Sequence, residues 1–146
     1  MPGAHPRPNA ERLDEASMAG ALEAVPGAGL IVTTERFDVV LVPRQIGMAA
    51  MVLLDRDRPV TCLIVDDDTY ALFVLPATGR YATVHGRVEV RTGPEGWVAL
   101  PPSRGVRWDT PPWIEATTEP RKLLRGDEIR HVLADCFTVI ETGAAL

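Results

Sequence analysis

A serine and an arginine directly follow two prolines in the stretch EGWVALPPSRGVRW, residues 95–108. Each proline fixes its φ near about −65° and has no N–H group, so the apolar strand before it must end there. The next two residues, Ser103 and Arg104, are therefore presented with little conformational freedom. A hydroxyl and a planar guanidinium are both suited to phosphate, and a rigid loop loses less entropy on binding. The pattern predicts either a well-made turn or a phosphate-binding loop.

Arginines accumulate around this loop, between Gly79 and Trp108, where acidic residues are few. The whole chain has a formal net charge of −5 and a pI of about 5.2. This balance argues against nonspecific duplex binding, which needs a strongly positive face. A local basic site is still compatible with it, and so are solvated strand edges and turns. The candidate residues for nucleotide or phosphate binding are Ser103, Arg104, Arg107, Arg91 and Trp108.

Two further groups have the residue types of acid–base or metal chemistry. His85 and Glu89 are four residues apart in a predicted strand, which places them on one face, where they could act as an acid–base pair. The run Asp66–Asp68 could attract a divalent cation, but it lacks the spacing of a calcium loop. Aspartate is a favoured turn residue, so the run predicts an acidic hairpin tip. The sequence has no Ser/His/Asp arrangement, P-loop or dinucleotide fingerprint.

The elements that position these residues follow the order α, β, β, α, several β, α. This order predicts one α+β domain with a mixed, largely antiparallel sheet and flanking helices. The domain is expected over residues 10–140, after a flexible N-terminus at residues 1–9. Hydrophobic periodicity and turn residues predict helices at 9–25, 44–57 and 117–141 (the last with a possible break at Gly126), a hairpin at 58–76, and strands at 29–34, 37–42, 81–86, 87–92 and 96–100.

Composition sets the broad class of the protein. The 146 residues are 46% hydrophobic and 24% charged, as in a soluble globular domain. No apolar run approaches the roughly 20 residues that cross a bilayer, and no basic start is followed by an apolar segment. We expect a cytoplasmic protein without membrane contact. The two cysteines, Cys62 and Cys136, lie far apart within apolar runs, which predicts buried reduced thiols.

The stretch VEVRTGPEGWVALPPSRGVRW, residues 88–108, resembles the bifunctional DNA primase/polymerase N-terminal domain of bacterial and phage proteins, within the archaeo-eukaryotic primase/polymerase superfamily. In that family an acidic residue and a glycine turn lead into an aromatic–apolar strand that ends in Pro-Pro-Ser, and a tryptophan follows. Upstream, GLIVTTERFDVVLV resembles the strands before the family's first metal motif. PGAHP resembles the end of a zinc segment. The resemblance implies a primase/polymerase-like fold, nucleotide binding and a role in DNA replication.

The sequence departs from this family where the family holds its metals. The resemblance implies an Asp-x-Asp pair where Pro43–Gln45 stands, and a catalytic histidine in the stretch TYALF, residues 69–73, which has none. Glu89 remains as the acid of the third metal motif. Because one carboxylate cannot hold two divalent ions, the expected protein is non-catalytic, with no metal or cofactor.

Two alternatives stay open. The first is an active primase/polymerase with an altered Mg²⁺ or Mn²⁺ site built from Asp38, Glu89 and Asp66–Asp68. The second is a protein-interaction scaffold whose proline-rich edges contact another protein. Under the favoured hypothesis the partner is a nucleotide or a single-stranded nucleic acid.

Overall fold

A computed structural model describes residues 29–143 of the chain. The predicted N-terminal helix at 9–25 and the flexible segment 1–9 lie outside these described residues. The described elements are strand β1 (Leu30–Pro43), helix α1 (Arg44–Asp55), strands β2 (Cys62–Val65) and β3 (Thr69–Val74), a short 3₁₀ helix (Gly79–Ala82), strands β4 (Glu89–Leu100) and β5 (Val106–Thr110), and helix α2 (Gly126–Thr142).

The strands form one sheet in the order β4-β1-β3-β2-β5. The predicted α+β class and single small domain are confirmed. Every pair of these strands is antiparallel, so the sheet is not mixed as predicted. An isolated bridge between Val74 and Leu124 is the one parallel contact that the described part of the chain shows.

Side chains of β1 alternate between two separate cores. Val40 and Val42 lie on the face that α1 and α2 cover, whereas Val39 and Leu41 lie on the opposite face. All four are at most 7% exposed. A central strand buried on both faces needs a nearly continuous apolar run, which is what residues 39–42 supply.

The second core is closed by the far ends of β1 and β4, which we call the arm (residues 30–34 with 93–100). From the arm, Val98 and its partly buried neighbour Val32 pack with Leu63 of β2 and Phe73 of β3. These two strands are not neighbours of β4 in the sheet. The arm therefore bends back across the sheet face. The register shifts between Thr33 and Val39 mark the bend.

Several predicted boundaries are wrong. Strands 29–34 and 37–42 form the single bent β1, and 87–92 joins 96–100 in β4. The predicted strand 81–86 is a 3₁₀ turn and irregular chain, in which the Thr83 hydroxyl donates to the Arg80 carbonyl at 2.6 Å. The C-terminal helix begins only at Gly126, because the Glu128 carboxylate accepts the Arg125 N–H at 2.7 Å and caps the helix there.

Candidate functional site

An open cleft of about 420 Å³ lies at one end of the sheet. The end of β1, the β2–β3 turn and the start of β4 form its walls. Two arginines, Arg87 and Arg91, line it together with three carboxylates, Asp66, Asp68 and Glu89. The sequence-predicted acidic run and the acid of the third family motif thus share one cleft with two basic residues.

The acidic run forms the tight turn between β2 and β3, so the predicted hairpin tip is confirmed. Asp66 and Asp67 have φ values of 53° and 59°, and the Asp68 N–H donates to the Val65 carbonyl at 3.2 Å. Positive φ at both central residues is the type I′ pattern, which aspartate tolerates. The Asp68 carboxylate accepts the Thr69 hydroxyl at 2.9 Å. The geometry of the β2–β3 turn is therefore sufficient to explain the three consecutive aspartates.

Two of the predicted phosphate-binding residues, Arg107 and Trp108, are engaged on β5. The Arg107 guanidinium forms an ion pair with the Asp67 carboxylate, and this hydrogen-bonded pair holds the pKa of Asp67 below its ordinary value. The Trp108 ring packs against Phe73 and Trp113, with ring centroids 5.9 and 6.1 Å away. Trp108 therefore contributes to the second core.

Ser103 fastens the double-proline turn to the start of β1. Its hydroxyl accepts the Leu30 N–H at 2.8 Å and donates to the Leu30 carbonyl at 3.0 Å. Its own N–H donates to the Leu100 carbonyl at 2.9 Å. A serine hydroxyl has one proton to give, and here Leu30 takes it. The geometry of this residue matches the well-made turn rather than a phosphate contact.

Arg104 and Arg87 are the exposed cations beside the cleft. Among residues 29–143, neither guanidinium forms a hydrogen bond, an ion pair or a ring contact. Arg104 precedes Gly105, whose carbonyl accepts the N–H of the cleft residue Asp66 at 2.8 Å. The approach to β4 thus places Arg87 in the cleft wall, whereas Arg104 lies outside the lining, on the double-proline turn one residue before Gly105.

Arg91 and Glu89 lie on the face of β4 that the arm covers. They are the cross-strand partners of Val39 and Leu41 on β1. The Arg91 guanidinium donates to the Trp97 carbonyl at 3.0 Å and lies 5.3 Å above the Trp97 ring. Its Nε is 3.5 Å from a Glu89 oxygen. Only 17% of the Arg91 side chain is exposed. Arg91 therefore holds the bent arm and presents little charge to solvent.

Asp38 lies on the other face of the sheet from Glu89. It follows the alternation of Val40 and Val42, is 1% exposed, and accepts the Gly79 N–H at 2.9 Å and the Thr92 hydroxyl at 2.6 Å. The altered metal site of Asp38, Glu89 and Asp66–Asp68 is therefore not assembled. The described residues contain no group of three or more His, Cys, Asp or Glu placed to hold a metal ion. The two-metal chemistry that the family resemblance implies does not fit these residues.

The predicted pairing of His85 with Glu89 is wrong. His85 lies in a turn on the helix side, where its ring stacks on Phe137 of α2 with centroids 4.2 Å apart. Its Nδ1 accepts the Arg87 N–H at 3.0 Å, and its Nε2 contacts the Glu141 carboxylate. Because β4 begins only at Glu89, the four-residue spacing does not place His85 beside Glu89.

Arg44 is a site residue that the sequence reasoning missed. Its N–H donates to the Asp68 carbonyl at 2.9 Å, and its side chain donates to the Asp67 carbonyl at 3.3 Å. The signal in the sequence was weak, since it consists of one arginine after the proline that ends β1. The resulting contact ties the start of α1 to the acidic turn.

The two cysteines, Cys62 and Cys136, are buried and unpaired, as predicted. Burial raises the pKa of both thiols. No helix within residues 29–143 has the length and apolar character to cross a membrane. The chain matches no protein family, no curated protein and no solved structure.

Proposed function

We propose that this protein is a non-catalytic relative of the primase/polymerase-like domains that it resembles, and that it binds nucleotides or single-stranded nucleic acid through their phosphates. The observation that carries this proposal is the exposed guanidinium of Arg87 in the cleft wall, which, like that of Arg104 on the neighbouring double-proline turn, has no partner among residues 29–143. Arginine forms bidentate, charge-assisted hydrogen bonds with phosphate.

Local charge supports an anionic ligand. Five arginines lie around this end of the sheet and face four carboxylates, whereas the whole chain has a net charge of −5. The carboxylates are partly engaged by Arg107, Arg91 and Thr69. The cleft lining itself holds two arginines and three carboxylates. The arginines outnumber the carboxylates only when Arg44, Arg104, Arg107 and Asp67 around the lining are added, which favours a ligand with few phosphates over a duplex. The arginines are Arg44, Arg87, Arg91, Arg104 and Arg107, and the carboxylates are Asp66, Asp67, Asp68 and Glu89.

The carboxylates argue for binding without nucleotidyl transfer. Phosphoryl transfer needs metal ions that neutralise charge on the phosphates, and those ions need convergent oxygen ligands. Asp38 serves as a buried acceptor for Gly79 and Thr92, on the face away from Glu89. We therefore expect no template-directed extension of a primer with Mg²⁺ or Mn²⁺. Extension that Glu89→Gln abolishes would contradict the proposal.

The binding test titrates labelled single-stranded oligothymidine and a fluorescent ATP analogue at several salt concentrations. Arg87→Ala and Arg104→Ala should each weaken binding about tenfold, because each removes a charge-assisted hydrogen bond of about 1.5 kcal/mol. The slope of log affinity against log salt should become shallower by about 0.7 for each lost phosphate contact.

Arg56→Ala is the matched control. Arg56 is an exposed arginine just after α1, at the end of that helix away from the cleft, and its loss should leave both affinity and salt slope unchanged. Equal weakening by all three variants would show a diffuse charge effect. That result, or no binding of either ligand by the unaltered protein, would overturn the proposed site.

Protein interaction is the second candidate function. Trp113 and Ile114 are 41% and 39% exposed, which is unusual for adjacent large apolar residues beside a sheet edge. If the chain binds neither nucleotide nor oligothymidine but forms a complex with another protein that Trp113→Ser weakens, protein interaction would be the favoured function.

A further inference from the structure

We propose that two copies of this chain pair antiparallel through the outer edges of their β5 strands, about a two-fold axis at Trp108. The inference goes beyond the proposed function and does not depend on nucleotide binding. Its basis is the backbone geometry and the charge pattern of one short edge strand.

Within residues 29–143, the backbone of Trp108 is available for pairing. β5 is an end strand of the sheet, and Asp66 donates its N–H to the directly opposite Gly105 at 2.8 Å. Since hydrogen-bonded and non-bonded pairs alternate along an antiparallel ladder, the N–H and C=O of Trp108, opposite Leu63, point away from β2. An exposed edge with free N–H and C=O groups is a template for another strand.

The charges of β5 complement themselves in one register. If Trp108 lies opposite Trp108 of the second copy, Arg107 lies opposite Asp109 of that copy, and Asp109 opposite its Arg107. Both residues are exposed. The register shift between Cys62 and Leu63 leaves Asp109 as an extra residue between Trp108 and Thr110, yet Asp109 and Arg107 both act on Tyr70 and so share the helix side of the sheet. Opposite charges directly across an antiparallel pair are stabilising. A pairing centred on Arg107 would instead place two guanidinium groups together.

Apolar surface adjoins the same edge. Trp113 contacts Trp108 edge-on, with centroids 6.1 Å apart, and Ile114 follows it. Pro111 and Pro112 end the strand, so β5 alone offers a short contact. Stable interfaces bury roughly 1,200 Å² or more in total, and the exposed Trp113 and Ile114 extend the edge toward that area.

Analytical ultracentrifugation with charge-reversal variants tests the register. Arg107→Asp and Asp109→Arg should each raise the dimer dissociation constant about tenfold or more, because each replaces two attractive pairs across the axis by two repulsive ones. The double variant restores both pairs in reversed order and should recover the dimer. Asp67→Asn is the control, since it removes the intramolecular partner of Arg107 and leaves the edge intact; it should not weaken the dimer.

Cysteine cross-linking gives an independent measurement if a charge reversal impairs folding. A mixture of Arg107→Cys and Asp109→Cys chains should form a disulfide-linked heterodimer, because non-bonded cross-strand pairs have Cα atoms about 4.5 Å apart. Either variant alone should cross-link poorly, since the introduced cysteines of its two copies would be offset by two residues along the paired strands. The native Cys62 and Cys136 are buried and give no background.

A chain that remains monomeric at several hundred micromolar would overturn the proposal. So would a dimer that both single charge reversals leave intact, because its interface would then lie elsewhere. Loss of the dimer on Asp67→Asn alone would assign the effect to the acidic turn rather than to the edge.

Discussion

At the scale of single residues, the double-proline stretch separates two roles that lie side by side in the sequence. Ser103 fixes the turn to Leu30 through both its donor and an acceptor. Arg104, the next residue, is left exposed. The serine therefore builds the loop, and under the proposed function the arginine is the residue that contacts the ligand.

Ser103→Ala distinguishes these roles. Losing both hydrogen bonds to Leu30 should lower the free energy of unfolding by about 1–2 kcal/mol, measured by urea denaturation. Affinity for oligothymidine should change by less than about twofold at temperatures where the variant is folded. A variant of normal stability that no longer binds would assign the hydroxyl to the ligand instead.

The residue types of the candidate site could be read from the sequence, but their contacts could not. Asp38 was grouped with Glu89 by residue type, whereas the structure places it on the other face of the sheet, where it accepts from Gly79 and Thr92. The contacts that engage Arg91 come from Trp97, beyond the bend in β4, and sequence spacing gives no sign of that bend. The predicted pairing of His85 with Glu89 was wrong for a similar reason. Residues four apart share a face only inside a strand, and β4 begins at Glu89.

At the scale of elements, the apolar runs predicted α1, β2 and β3 to within a few residues, because local hydrophobic periodicity decides them. They also predicted the two ends of β1, but as two separate strands. The start of α2 depends on a tertiary contact as well as on the Glu128 cap. The Gly126 N–H donates to the Thr78 hydroxyl at 2.8 Å, and a Cβ on Gly126 would lie 2.0 Å from the Thr78 carbonyl oxygen. Glycine permits this close approach between α2 and the 3₁₀ turn.

Gly126→Ala should consequently lower the free energy of unfolding by about 1–3 kcal/mol, even though alanine is the better helix former, because the backbone of Thr78 cannot move away cheaply. Chemical denaturation measures the change. Gly86→Ala is the control: its Cβ would meet nothing within 4 Å, and its effect should stay within about 0.5 kcal/mol. Equal stability of the two variants would contradict the packing argument.

At the scale of the whole molecule, ionisable groups couple stability to pH with opposite signs. The N–H of Arg125 and the guanidinium of Arg58 lower the pKa of Glu128. A lowered carboxyl pKa stabilises the fold above the ordinary value of about 4.3 and loses that stabilisation as the pH falls through the folded pKa. Burial and Asp109 raise the pKa of Asp55. Protonation of Asp55 at low pH therefore removes the unfavourable free energy of its buried negative charge and stabilises the fold.

Glu128→Gln should therefore lose stability at pH 7 and little at pH 3. Because the pair with Arg58 is partly exposed, the difference should stay below about 1 kcal/mol. Thermal melts of both proteins from pH 7 to pH 3 measure it. If the difference in melting temperature between Glu128→Gln and the unaltered protein grows as the pH falls, the explanation by a lowered Glu128 pKa is contradicted.

The arm has a consequence for how the chain tolerates changes of length. Thr33 pairs with Trp97, and Val39 pairs with Arg91 in the same register. The irregular segments between these pairs, residues 34–38 of β1 and 92–96 of β4, are equal in length, so the register is restored after them. We call these two segments the excursions. A single-residue deletion in either excursion would turn Val32 or Val98 toward solvent. Sequences that share this arm should therefore gain or lose residues in both excursions together.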